Sequence, residues 1–148
     1  MIILFDMMNM VDVYNQINRY AQDNGLVLTV HEPGKVSYEM KVLEKHLSSP
    51  DTCHGGIIAG MMDSLIGAAA LTVAFTENNL VSTVEFKINY FKPVCLGTVL
   101  SGDGHVDYKG KSLIISSGEI RERESGELVA KAIGTFNVYP LSKKKLSD

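Results

Sequence analysis

Asp63 stands inside the most apolar stretch of the chain, Ile57 to Phe75 (IIAGMMDSLIGAAALTVAF), where Ser64 and Thr72 are the only other polar side chains. An unpaired buried carboxylate costs several kcal/mol, so Asp63 must be paired, protonated or open to a cleft. If the stretch is one helix, the neighbours of Asp63 at i−4, i−3 and i+4 are Ala59, Gly60 and Gly67, which leave space beside the acid. A carboxylate in such a space can serve as a general base on water or as a nucleophile. Upstream, His54-Gly55-Gly56 opens the same stretch. A helix start offers unpaired N–H groups and the positive end of the macrodipole, and glycine lets a carbonyl oxygen approach them closely. A structural carboxylate and close helix packing are the competing readings of the same residues.

Other reactive side chains make weaker constellations. Cys53 adjoins His54, but neighbours in an extended loop point apart, which argues against a Cys–His dyad. His31, His46, His54 and His105 lack metal-ligand spacing, so no metal is expected. Two cysteines supply no disulfide framework and fit a reducing, cytoplasmic setting. The net charge of −3 disfavours nucleic acid and anionic membranes as partners. Lys109 and Lys111 flank a tight turn, where they are either solvated or placed to hold phosphates.

The elements that position these residues follow from periodicity. A length of 148 residues fits one domain with a real core. Met1 to Phe5 is apolar but too short for a signal peptide. Met8 to Asp23 has helical spacing (Val11, Tyr14, Ile17, Tyr20) and ends at Asn24-Gly25. Leu26 to His31 reads as a strand, Glu32-Pro33-Gly34 as a turn, and Lys35 to Val42 as a half-buried strand with Val36, Tyr38, Met40 and Val42 inward. Leu43 to Cys53 is loop. The apolar stretch approaches membrane length, yet Asp63 in its middle and the charged, strand-like sequence after it mark a core helix.

Beyond Glu77-Asn78-Asn79 the period falls to two. Val81 to Phe91 sets Val84, Phe86, Ile88 and Tyr90 against Glu85, Lys87 and Asn89. Thr98 to Tyr108, Ser112 to Arg123 and Glu127 to Tyr139 follow as strands, and a polar tail begins near residue 141. The expected architecture is α+β: an antiparallel sheet, its last four strands in meander, wrapped around one long central helix.

His54-Gly55-Gly56 with Asp63 further along the helix resembles the signature of hotdog-fold acyl-CoA thioesterases, in the PaaI-like branch related to phenylacetate-pathway and 4-hydroxybenzoyl-CoA enzymes. Thr83-Val84-Glu85-Phe86, Tyr90-Phe91-Lys92-Pro93, Leu96-Gly97, Val129-Ala130 and Thr135-Phe136 resemble the downstream strands of that family. The resemblance implies hydrolysis of an acyl-CoA thioester, with coenzyme A as part of the substrate and no separate cofactor. It implies the Gly55 N–H as oxyanion donor, with Gly56 beside it, and Asp63 as base or nucleophile. Thr83 falls near the acid, and His54 orients the loop or the thioester. Ser48 stands where many members carry Asn or Gln, so a shorter hydroxyl takes that place. The departure at Ser48 sustains a rival reading, a non-catalytic acyl-CoA-binding or ligand-sensing domain.

Gly55 and Asp63 lie ~12 Å apart along a continuous helix, too far for one thioester carbonyl to touch both. Two antiparallel copies of the helix about a two-fold axis would bring Asp63 of one near Gly55 of the other. The expectation is therefore a homodimer with shared active sites, and the family resemblance doubles it into a dimer of dimers.

Overall fold

The computed structural model describes residues 2–143, with the backbone alone for residues 2–8. Two helices, α1 (Ile2–Ile17) and α2 (Arg19–Asn24), lead into the strands β1 (Val27–Glu32) and β2 (Lys35–Lys41). The long helix α3 (Gly55–Phe75) follows, and then β3 (Asn79–Tyr90), β4 (Val99–Lys109), β5 (Leu113–Glu122) and β6 (Leu128–Pro140). A 3-10 turn at Leu141–Lys143 begins the expected polar tail, whose remainder lies outside the described residues, as does Met1.

The N-terminal helix differs from expectation. It starts at Ile2 rather than Met8, and it is broken at Asn18. Asn18 leaves helical geometry (φ −82, ψ 84), and its side-chain oxygen accepts the Ala21 N–H at 3.0 Å as the cap of α2. Such a side chain competes with the backbone for its own donors, which is why asparagine favours a cap over a helix interior. Gly25 in the left-handed region (φ 66) closes α2, as Asn24-Gly25 led one to expect.

The strands form one antiparallel sheet in the order β1-β2-β4-β5-β6-β3. Only β4, β5 and β6 make a meander. The expected four-strand meander is corrected here, because β3 pairs with β6 at the far edge and β2 pairs with β4. Helix α3 runs across one face of the sheet before β3 begins, so β3 enters at the opposite edge. Pairing between elements distant in sequence leaves no mark in local periodicity.

The core lies between α3 and that face. Met61, Met62, Leu65 and Ile66 are fully buried, and each such side chain contributes ~1.5–3 kcal/mol of transfer free energy. The helix has the length and composition to cross a membrane, yet ten of its residues are buried within this fold. Opposite Leu65, the sheet presents glycine. A Cβ at Gly104 would stand 3.0 Å from the Leu65 carbonyl oxygen, and one at Gly118 would stand 2.8 Å from Ile66 Cγ2. Gly104 and Gly118 are cross-strand partners, so together they form a furrow in which the helix sits. Two buried hydroxyls bind helix to sheet: Ser116 donates to the Ile66 carbonyl at 2.7 Å, and Thr72 accepts the Gly34 N–H at 2.9 Å in the β1–β2 turn.

Buried His46 ties the N-terminal helices to the loop before α3. Its Nδ1 accepts the Leu43 N–H, its Nε2 donates to the Asn24 side-chain oxygen at 3.0 Å, and its carbonyl accepts the His54 N–H at 2.8 Å. Burial, with Lys45 adding to it, holds its pKa below the ordinary histidine value. The unfolded chain therefore takes up the proton first. His46 contributes full stability above ~6.5 and loses it as pH falls through that value toward the depressed folded one. In urea titrations between pH 7.5 and 5.5, the parent should lose more stability than a His46→Gln variant. Equal pH slopes would remove His46 as the cause.

Candidate active site

Asp63 lies half-buried on the side of α3 turned away from the glycine furrow. Its Oδ1 accepts a hydrogen bond from Thr83 Oγ1 at 2.8 Å. A β-bulge makes this contact possible. The β3–β6 register slips between Thr83 and Glu85, leaving Val84 extra and 58% exposed. The slip places Thr83 opposite buried Phe136 and Phe86 opposite Gly134, so both Thr83 and Phe86 face the helix. Strict alternation would put Val84 with Phe86 on the inner face, as the sequence led one to expect, and Thr83 on the outer one. Bulges re-aim side chains in this way next to functional sites.

The space expected beside Asp63 is real but partly filled. The ring of Phe136 lies 3.4 Å from where a Cβ on Gly67 would stand, and a side chain at Gly60 would run into the Tyr20 hydroxyl. A cleft of about 400 Å³ remains, floored by Asp63, Ser64, Val81 and Thr83 and roofed by Tyr14, Asn18 and Tyr20. Its size suits a small ligand. Burial raises the phenol pKa of both Tyr14 and Tyr20, and the negative charge of Asp63 adds to the effect. Both hydroxyls therefore stay protonated as donors. In the sequence, Tyr14 and Tyr20 read only as the apolar face of a helix, because an amphipathic stripe and a cleft roof share one spacing.

The donor half of the site is built around the start of α3. His54 is the N-cap, and its Nδ1 accepts the Gly56 N–H at 2.7 Å. The Gly56 donor is thereby used within the protein, whereas the Gly55 N–H meets no acceptor among the described residues. Tyr90, at the end of β3, donates its hydroxyl to the Gly55 carbonyl at 2.7 Å. By alternation alone, Tyr90 reads only as part of the apolar face of its strand. Ser48 is exposed in the preceding loop, where its hydroxyl turns back on the Thr52 carbonyl at 3.4 Å. That loop is laced to the β3–β4 connection through Cys53 N–H to the Val94 carbonyl and Leu96 N–H to the Asp51 carbonyl.

Within one chain, then, Asp63 and Thr83 come together, and Gly55, Gly56 and His54 come together, but the two groups stay apart on an unbroken helix. Lys109 is ion-paired with Glu77 beyond the C-terminal end of α3, and Lys111 is exposed in the next turn, so neither lines the cleft. Cys53 is buried, its thiol pKa raised by burial, and its Sγ lies against the His54 carbonyl rather than the ring. Among the described residues no three His, Cys, Asp or Glu side chains are grouped as a metal set would require.

Comparison with known proteins bears on the chain as a whole. Residues 51–129 match the model of the thioesterase superfamily. The chain belongs to that superfamily. It is 34% identical over 107 residues to human acyl-coenzyme A thioesterase 13, covering 72% of this chain and 74% of the relative. The E. coli PaaI protein of the phenylacetic acid degradation operon superposes with a TM-score of 0.78 at 18% identity, over 91% of this chain and 94% of that one. The Streptococcus mutans protein smu.793, solved with acetyl CoA bound, superposes with a TM-score of 0.66 at 25% identity, over 78% of this chain and 89% of that one. The fold is the hotdog fold shared with PaaI, and the chain is a thioester hydrolase. A non-catalytic binding domain is set aside on the same grounds.

The seat of Tyr20 on Gly60 can be tested by a double-mutant cycle. Alanine at Gly60 should gain ~1 kcal/mol of helix propensity when Tyr20 is also alanine. With Tyr20 in place the gain should be smaller or reversed, giving a coupling of at least ~0.5 kcal/mol in urea unfolding. Additive effects would show that the ring does not rest there.

Proposed function

We propose that the protein hydrolyses acyl-CoA thioesters, with Asp63 as general base and the Gly55 N–H as oxyanion donor. The carrying observation is the Thr83–Asp63 hydrogen bond at the floor of the cleft. Thr83 occupies Oδ1 and pins the plane of the carboxylate, which leaves Oδ2 to accept a proton from water. The acyl group enters the cleft beside Phe136 and Val81, under Tyr14 and Tyr20. When water attacks, charge gathers on the thioester oxygen, where a glycine N–H at a helix start stabilises it without reorganisation. The acetyl CoA bound by the S. mutans neighbour supports coenzyme A as the thiol carrier.

Because α3 is continuous from Gly55 to Phe75, base and donor serve one carbonyl only if they come from different subunits. The proposed unit is a two-fold dimer, itself doubled into a tetramer. The free edge of β3 supports this reading. It is twelve residues long, unpaired on one side among the described residues, and carries exposed Val84 and Tyr90 beside the site. Such an edge is a template for pairing with a second copy.

Asp63→Asn keeps the volume and removes the base, and should lower kcat at least ~100-fold with the melting temperature nearly unchanged. Turnover near the parent's would overturn the role of Asp63. For the shared site, an inactive Asp63→Asn chain and an inactive His54→Ala chain are mixed and allowed to exchange. Random dimers with one intact site in each heterodimer should recover about a quarter of parental activity. No recovery after verified exchange would place base and donor in the same subunit.

A further inference from the structure

Consecutive glycines are the most flexible residues a chain can place at a donor site, yet an oxyanion site works only if its donors are held still beforehand. Gly55-Gly56 lies in the first turn of α3, where helical bonds restrain it from one side only, and Tyr90 supplies a second restraint. Its hydroxyl donates to the Gly55 carbonyl at 2.7 Å, and its ring lies over Gly55, with Cζ 3.6 Å from where a Cβ would stand. That carbonyl belongs to the Gly55–Gly56 peptide, whose N–H donates to His54 Nδ1 at 2.7 Å. One peptide group is gripped at both poles, in a chain running from the Tyr90 O–H through the peptide to the His54 ring. Each bond polarises the next in such a chain. With Nδ1 accepting, the neutral His54 ring carries its proton on Nε2. His54 is exposed, and its Nε2 has no partner among the described residues.

Tyr90 is well fixed for this task. It pairs with Ala130 in β6, the next residue's N–H bonds the Val129 carbonyl at 2.8 Å, and Lys92 is ion-paired with Glu122 at 3.0 Å and with Glu127. Partial burial of the phenol raises its pKa, so the hydroxyl remains a donor.

Resting on the thioesterase reading, we propose that Tyr90 is a positioning residue. Through the Gly55–Gly56 peptide it holds the Gly55 N–H in line and keeps His54 in the Nε2–H form, so that the thioester meets two ordered donors rather than one. Phenylalanine would fill the same space but leave the Gly55 carbonyl only its acceptor role within α3, and the first peptide of the helix would be held less firmly.

Tyr90→Phe tests this, because it deletes only the hydroxyl. Two readouts are taken, one of them independent of activity. In long-range 1H–15N spectra at pH 8, parental His54 should be wholly Nε2–H. In the variant, the Gly56 amide proton should move upfield and His54 should show mixed tautomers. With an acyl-CoA substrate, kcat should fall about 10-fold with KM within about twofold, the pattern of a lost transition-state interaction. The proposal is overturned if parental His54 carries its proton on Nδ1, if the spectra of the variant match the parent's, or if its kcat does. A parent that hydrolyses no acyl-CoA would defeat the functional reading by itself, and the spectra would still decide the hydrogen-bond chain.

Discussion

The close seating of α3 on the sheet is the constraint from which the site follows. The Leu65 backbone approaches β4 so nearly that no side chain fits at Gly104, and Gly118 across the ladder is equally crowded. An apolar helix pressed into a furrow of glycines turns its opposite side, with Asp63, Ser64, Gly60 and Gly67, toward the cleft. Larger residues at Gly104 and Gly118 would press on Leu65 and Ile66 and force the helix or its side chains to shift. The hydroxyls of Ser116 and Thr72 set the helix along its axis as the glycines set its height. Directional bonds inside a close-packed interior leave it few alternatives.

Local irregularities do the remaining work. The bulge at Val84 turns Thr83 toward the acid while keeping Phe86 and Ile88 on the inner face. The break at Asn18 bends the N-terminal segment so that Tyr14 and Tyr20 both roof the cleft. His46 fastens that roof to the loop that presents His54. The bulge and the break each depart from ideal geometry by one residue, and each is stabilised by a specific side-chain or ladder bond.

The acid itself is handled economically. Asp63 is half-buried rather than sealed, receives one hydroxyl and keeps one oxygen toward the cleft. Full burial would demand a cation or further donors, and full exposure would surrender the dry surroundings that strengthen charge stabilisation. The aromatic rings of Tyr20 and Phe136, over Gly60 and Gly67, wall the acid on two sides.

By itself, the sequence determined the long core helix and the inward face of β2, and it singled out an acid and a double glycine as the candidate site. An apolar run interrupted by one carboxylate, and strict alternation from Val36 to Val42, admit few readings, because helix and strand periods are local properties. The motif also carried the family, since its residues resemble those of other members. Only the tertiary structure decided that β3 crosses to the edge beside β6, because ladder partners are chosen by long-range packing against α3. It alone decided that Val84 is extruded and Thr83 turned inward, a one-residue slip that the hydrophobic alternation of β3 conceals. It alone gave Tyr14, Tyr20 and Tyr90 their places, since an aromatic ring at a core-like spacing looks the same whether its hydroxyl is idle or grips a peptide across 35 residues of chain.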